Sequence, residues 1–177
     1  FDANGVLQTA AADQPRFDHN PVAGALRGLL VEPSATNLLT YSSEFGNAAW
    51  SKIRSSLAPA AALGSDGTMS MTKLIENSEN NSHYILQQQT YVAGQYSAVT
   101  VEAKAAERSV LQLTIPSTAF GINIAAFYNL ATGEFFARSP GIPSMVPLGG
   151  GIYRCCLVAQ AIATDPTGNV QIRMHSD

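Results

Sequence analysis

Short runs of alternating apolar and polar residues make up most of the chain, and turn-forming residues separate them. The clearest run spans residues 95–104, where Ser97, Val99, Val101 and Ala103 fall on one side of a strand. Alternate side chains of a β-strand point to opposite faces, so this run predicts a strand with one buried face. No stretch sustains the 3.6-residue period of an amphipathic helix. The pattern therefore predicts an all-β fold.

Comparable runs predict strands along most of the remaining chain. These strands are expected at residues 50–57, 70–75, 83–90, 109–115, 122–130, 134–138, 152–163 and 169–175. Residues 59–63 are expected to form an alanine-rich connection, and the prolines of 140–147 to mark an irregular edge. Short strands with turn signals at roughly ten-residue spacing favour an antiparallel β-sandwich. We expect a jelly roll, because two facing sheets of this length close a core without helices.

Residues 28–50 carry the strongest local signals. Leu29-Leu30-Val31 predicts a buried strand that ends at Glu32-Pro33, because proline has no N–H to give to a ladder. Residues 37–41 are expected to re-enter the core. Trp50 is the only tryptophan of the chain, and we expect it to anchor the core where the sandwich begins.

The length of 177 residues predicts one domain with a short N-terminal extension. Residues 1–27 are turn-rich, with Asn4-Gly5 as a turn signal, and are expected to form an arm or a hairpin. This arm would lie either on its own sandwich or on a neighbouring chain. Residues 28–177 are expected to form the β-sandwich domain.

Composition narrows the classes of partner. Charged residues make up only 13% of the chain, the net charge is -3, and no run of Lys or Arg occurs. The basic footprint of a nucleic-acid-binding protein is therefore absent from the sequence. No apolar run approaches the ~20 residues of a membrane helix, so we expect no membrane insertion. The polar surface must come mostly from Ser, Thr, Asn and Gln, as on many β-rich extracellular or virion modules.

Cys155 and Cys156 are the only cysteines, and they are adjacent. On a strand they would point to opposite faces, and a disulfide between neighbours is strained. We therefore expect two free thiols that behave as small apolar residues, since free cysteine is among the most buried residue types.

Catalytic motifs are absent from the sequence: there is no G-x-S-x-G elbow, no H-E-x-x-H pair and no P-loop. Glycoside hydrolysis needs two carboxylates across a cleft. Glu102 and Glu134 lie on predicted strands, but nothing in the sequence pairs them. We expect a protein that is not an enzyme.

The order of several short motifs along the chain resembles a group of phage and prophage virion proteins. These are tail-fibre, tailspike or head-fibre proteins with a carbohydrate-binding-module-like jelly roll. The motifs that carry the resemblance are Pro15-Arg16-Phe17-Asp18, Gly28 to Glu32, Thr36 to Leu39, Tyr41-Ser42, Phe45, Trp50, Tyr96, Lys104, Leu130 to Gly133 and Tyr153-Arg154-Cys155. They span nearly the whole chain, and it is their order rather than any single motif that is specific.

The resemblance implies a non-catalytic structural or adsorption module of a virion, assembled in the bacterial cytoplasm. Its partners would be copies of itself, other virion proteins and, as a candidate ligand, host surface glycan. Such sequences continue past the position of Asp177 with a further strand, so the sandwich is expected to lack its closing strand or to receive it from a partner. Two alternatives remain: a glycan-binding module of a polysaccharide-degrading enzyme, and a purely architectural capsid or tail decoration domain.

Glycan binding would use aromatic rings that stack on sugar faces, with planar polar side chains around them. The residues that we expect to do this are Tyr84, Tyr128, Gln87, Gln89 and Arg138. Further candidates of the same types are Trp50, Tyr91, Tyr96 and Asn123.

Jelly rolls of the carbohydrate-binding type often hold a structural calcium ion near their first strand, bound by a carboxylate and by backbone carbonyls. The resemblance makes Glu44 the candidate ligand here. No other cofactor is expected.

Overall fold

Antiparallel β-strands form the architecture of the computed structural model, which describes residues 1–11, 14–31, 35–116 and 118–175. Its strands are β1 (Phe17–His19), β2 (Leu26–Leu29), β3 (Ser51–Ile53), β4 (Ser55–Ala62), β5 (Met71–Glu76), β6 (His83–Gln88), β7 (Tyr96–Lys104), β8 (Val110–Ile115), β9 (Ile124–Asn129), β10 (Phe135–Ala137), β11 (Ile142–Gly149), β12 (Ile152–Gln160) and β13 (Asn169–His175). A short 3₁₀ helix at Thr118–Phe120 precedes β9. The all-β prediction is confirmed.

Two layers enclose the core. One layer is a six-stranded sheet in the order β10-β9-β8-β13-β6-β3. The other contains the three-stranded sheet β11-β12-β7, beside which the separate β4–β5 hairpin also packs on the core. Apolar residues of both layers meet in one cluster, so the molecule is a β-sandwich, as predicted.

Alternation along the strands selects the residues that face this core. In β7, Val99 is buried, and Val101 and Ala103 pack against the same cluster, as the sequence pattern predicts. Leu113 and Leu157 face each other's layer as members of the core cluster and are fully buried. Burial of each such side chain stabilises the fold by about 2 kcal/mol. This energy fixes which face of each strand lies inward.

Trp50 anchors the beginning of the sandwich, and this prediction is confirmed. Its side chain is 2% exposed, its indole N–H donates to the Tyr41 carbonyl at 3.0 Å, and the Phe45 ring meets it edge to face at 5.0 Å. The expected return of residues 37–41 to the core holds for Leu39, which packs against it, whereas Leu38 and Tyr41 are exposed.

The predicted strand at 50–57 is wrong in one respect, because it breaks at Arg54. This residue adopts a φ of 51°, which ends β3 in the six-stranded sheet and starts β4 outside it. The Arg54 carbonyl accepts the Asn77 N–H at 3.1 Å, and His83 Nδ1 lies 2.7 Å from the same oxygen. These contacts stabilise a left-handed backbone conformation that is energetically unfavourable for a residue other than glycine.

Residues 59–63 do not form the expected connection, because β4 continues to Ala62. Its register with β5 is interrupted between Ala58 and Ala62, where Ala60 has a φ of 52°. A bulge of this kind accommodates Pro59, whose missing N–H would otherwise break the ladder. The proline-rich segment 140–147, expected to be an irregular edge, lies within the edge strand β11 and its approach.

The N-terminal region forms a hairpin that lies on its own sandwich. Strand β1 pairs with β2, the Leu7 N–H donates to the Ser65 carbonyl at 2.9 Å, and the Arg154 guanidinium lies 5.4 Å from the centre of the Phe1 ring. The expected division between residues 27 and 28 falls inside β2.

The prediction of a buried strand at 29–31 is wrong. Strand β2 ends at Leu29, which is 57% exposed, and Val31 is 82% exposed. Among the described residues, β2 pairs only with β1, and neither Leu29 nor Val31 belongs to the core cluster. Glu32 and Pro33, which were expected to end the strand, lie outside the described residues.

Both cysteines are free, and they point to opposite faces of β12, as predicted. Cys155 is fully buried in the core, whereas Cys156 is half-buried beside Thr100, whose hydroxyl lies 3.4 Å from its sulfur. Burial raises the pKa of the Cys155 thiol to about 12. At neutral pH the buried thiol therefore stays protonated and unreactive.

We expect iodoacetamide at pH 8 to alkylate Cys156 in the native chain and to leave Cys155 unmodified. The thiolate is the reacting species, and Cys155 is both protonated and shielded from the reagent. Mass spectrometry of digested protein measures each site, and the same reaction in denaturant should label both. Equal labelling of the two thiols in the native chain would contradict the orientation of β12.

Candidate functional site

A row of aromatic and planar polar side chains crosses the outer face of the six-stranded sheet. The strand registers align Phe136 with Phe127, Phe127 with Gln112, Gln112 with Arg173, and Arg173 with Tyr84. The row thus contains one residue from each of five neighbouring strands. With strands ~4.8 Å apart, it spans about 19 Å from β10 to β6.

The core determines that this row faces outward. Leu111 and Leu113 of β8 point into the core, so Gln112 between them lies on the opposite face. Likewise Ile172 of β13 and Ile85 of β6 are core residues, which turns Arg173 and Tyr84 outward. Along each strand, the residue of the row therefore alternates with residues of the hydrophobic core.

Aromatic contacts define the end of the row at β9 and β10. The Phe127 and Phe136 rings are stacked, with centroids 4.9 Å apart and an interplanar angle of 10°. Around Phe127, the His175 ring stands edge to face at 5.1 Å and the Arg138 guanidinium lies 5.0 Å from the ring centre. Phe127 is buried by these neighbours, while Phe136 is 55% exposed and offers its ring to solvent.

A cation–π pair forms the other end. The Arg173 guanidinium lies 4.7 Å from the centre of the half-buried Tyr84 ring. Within the part of the chain that the structure describes, Arg173 Nε is buried and has no hydrogen-bond partner. A buried donor without an acceptor carries a desolvation penalty.

Side-chain amides fill the middle of the face. Gln112 Nε2 donates to Thr114 Oγ1 at 2.8 Å, and Gln171 Nε2 donates to Asn169 Oδ1 at 3.0 Å. Thr114 and Gln171 are aligned in the next row along the strands, and both are buried. These hydrogen bonds fix the orientation of both amide planes.

The structure brings together two of the five predicted glycan-contacting residues. Tyr84 and Arg138 both lie on the outer face of the six-stranded sheet, Tyr84 within the row and Arg138 over Phe127. Gln89 follows β6, is half-buried, and donates its backbone N–H to the Gly168 carbonyl at 2.8 Å. It therefore lies at the end of the sheet, outside the row.

The prediction is wrong for Tyr128 and Gln87, which both point into the molecule. The Tyr128 ring has no exposed surface, and its hydroxyl donates to the Cys156 carbonyl in the opposite layer. Gln87 is buried, and its amide exchanges hydrogen bonds with the Thr40 backbone, as donor to the carbonyl and acceptor from the N–H, both at 2.9 Å. Neither side chain can reach a sugar.

The further aromatic and amide candidates lie elsewhere. Trp50 and Tyr91 are core residues, and the Tyr91 hydroxyl donates to the Asn169 carbonyl at 3.0 Å. Tyr96 is 67% exposed on β7, in the other layer, and Asn123 is exposed just before β9. None of these four joins the row.

Glu44, the calcium candidate, is exposed in a turn where its backbone N–H donates to the Tyr41 carbonyl at 3.0 Å. Among the residues that the structure describes, no group of three or more His, Cys, Asp or Glu side chains could hold a metal ion. Glu44 therefore belongs to no such group.

Sequence reasoning missed Phe136, Phe127, Gln112 and Arg173. The alternation of Leu111, Leu113 and Ile115 with Gln112 and Thr114 marks the outward face of β8, so one signal was present. The four residues come together through the register between strands that are distant in sequence. No local sequence pattern specifies this register.

No protein-family model matches the chain, and no curated protein matches it in sequence. In the described part of the chain, no helix has the length and apolar character needed to cross a membrane.

We expect Tyr128→Phe to lower the free energy of unfolding by about 1 kcal/mol, because the Cys156 carbonyl loses its donor while the ring still fills the core. Burial raises the pKa of the Tyr128 hydroxyl, so the hydroxyl is protonated and the loss should not change between pH 6 and pH 8. Urea denaturation measures the effect, with Tyr96→Phe as the exposed control. No loss of stability would contradict the bond between the layers.

Proposed function

We propose that this protein is a non-catalytic carbohydrate-binding module with jelly-roll topology that serves as a structural or adsorption component of a phage virion. The observation that carries the glycan proposal is the row from Phe136 to Tyr84 across the six-stranded sheet. The virion proposal draws on the resemblance in motif order and on the low content of charged residues, 13%.

The row has the chemistry that a sugar chain needs. A pyranose presents C–H groups on its flat faces and hydroxyls around its edge. The exposed Phe136 ring can stack on such a face, and amide and guanidinium groups of Gln112 and Arg173 can pair with hydroxyls. Arg173 is only half-buried, so part of its side chain is accessible to such hydroxyls.

The shape of the row favours an oligosaccharide over a monosaccharide. Five strands contribute to it, and their spacing gives a length of about 19 Å. Aromatic side chains occupy both ends, Phe136 on β10 and Tyr84 on β6, with polar side chains between them. A chain of several sugar rings laid across the strands would contact both aromatic ends at once.

We expect Phe136→Ala and Tyr84→Ala each to weaken retention by a host surface polysaccharide about tenfold, because each removes one stacking surface. The ligand is first selected on an array of bacterial surface polysaccharides, and affinity electrophoresis then measures each variant. Tyr96→Ala is the control, since Tyr96 is an exposed aromatic residue that lies in the other layer.

If all three variants are retained as strongly as the wild-type chain, the outer face is not the binding site. If the wild-type chain is retained by no polysaccharide, the purely architectural alternative gains support and the glycan proposal fails. Light scattering addresses the virion proposal separately, because fibre and decoration modules assemble with copies of themselves whereas an appended enzyme module is expected to be monomeric.

A further inference from the structure

A cleft of about 610 Å³ separates the β4–β5 hairpin from β7. Its floor includes Ile85, Leu111 and Ile172, which belong to the inner face of the six-stranded sheet and to the core. Its walls run along the whole of β5 and along residues 101–106, the end of β7 and the start of the following turn. The second layer of the sandwich is therefore open down to the core at this place.

Both walls of the cleft are strand edges without a partner. Among the described residues, β5 pairs only with β4, and β7 pairs only with β12. Alternate N–H and C=O groups of an edge strand point away from its single partner. The cleft therefore presents two rows of backbone donors and acceptors above an apolar floor.

The two edge strands run in the same direction. Before the start of β5, the Ser65 hydroxyl donates to the Glu102 carboxylate of β7. At the end of β5, Glu76 pairs with Arg108, beyond the end of β7, at 2.8 Å. Every registered strand pair in the described chain is antiparallel, so strands separated by one neighbour run parallel. β5 and β7 thus have the relation of two strands that flank a third.

The geometry points to a strand-accepting cleft: an extended segment of another polypeptide inserts between β5 and β7, antiparallel to both. Its backbone completes a ladder on each side at the usual spacing of ~4.8 Å. Every second side chain of this segment faces the core and is apolar, because the floor is apolar. Small residues leave room in the cleft for large side chains; they are Ala61, Ala62, Ala103, Ala105 and Ala106.

An extended polypeptide suits the cleft better than a compact apolar ligand does. A compact ligand would cover the floor but would leave the backbone groups of both walls without partners, which is costly in a partly buried place. Two ion pairs connect the walls across one end of the cleft, Lys73 with Glu107 and Glu76 with Arg108.

The test uses a synthetic heptapeptide in which valine alternates with threonine and lysine, acetylated and amidated at its ends. Hydrogen exchange of the full chain is followed by NMR with and without the peptide. We expect edge amides of both β5 and β7 to exchange about tenfold more slowly with the peptide, because each gains a backbone hydrogen bond. A heptapeptide with proline in place of the central valine is the control, and it should slow neither edge.

A pair of variants on one strand checks the location. Ala103→Trp fills the cleft from the inward face of β7 and should abolish the slowing, whereas Thr100→Trp lies on the outward, exposed face and should preserve it. If Ala103→Trp does not fold, the comparison of the valine and proline peptides on the unmodified chain still decides the question.

Three results would overturn the proposal. The valine peptide could slow exchange at neither edge, or at one edge alone, which would mean that no strand inserts between them. Edge amides that exchange slowly before any peptide is added, in a chain that light scattering finds to be oligomeric, would assign the cleft to a second copy. None of these results bears on glycan retention at the outer face of the six-stranded sheet, so the two proposals fail separately.

Discussion

Burial of one face of the six-stranded sheet is the constraint on which the rest of the structure depends. Because strand side chains alternate with a period of two, placing Leu113 in the core turns Gln112 and Thr114 to the opposite face. A register slip of one residue would reverse both faces and would cost the burial of several large apolar side chains. The same energy that holds the core therefore holds the outer row in alignment.

The two layers of the sandwich differ in completeness, and the two proposed sites follow from that difference. The six-stranded sheet is continuous, so one residue from each of five strands can form an uninterrupted row from Phe136 to Tyr84. The other layer is divided between β5 and β7, which exposes backbone edges and part of the core. A continuous face suits a flat, extended sugar chain, and a gap of this kind suits a strand.

The sequence pattern correctly predicted which residues face the core in β7 and β8, where polar and apolar residues alternate. It could not choose a phase for β9, because Ile124-Ala-Ala-Phe-Tyr is apolar throughout. Tyr128 was therefore expected at the surface, whereas the structure buries it and turns Phe127 outward. The prediction for Gln87 failed for another reason. A polar side chain can be buried when a distant backbone satisfies its hydrogen bonds, as that of Thr40 does for the Gln87 amide.

We propose that ligands rich in hydroxyls bind the outer face of the six-stranded sheet. NMR titration of the labelled chain with a polysaccharide fragment that it retains would locate the bound ligand. We expect amide shifts to concentrate at Phe136, Gln112, Arg173 and Tyr84, and the β5 and β7 edges to stay unchanged. Shifts confined to the cleft between β5 and β7, or to the exposed N-terminal hairpin, would contradict it.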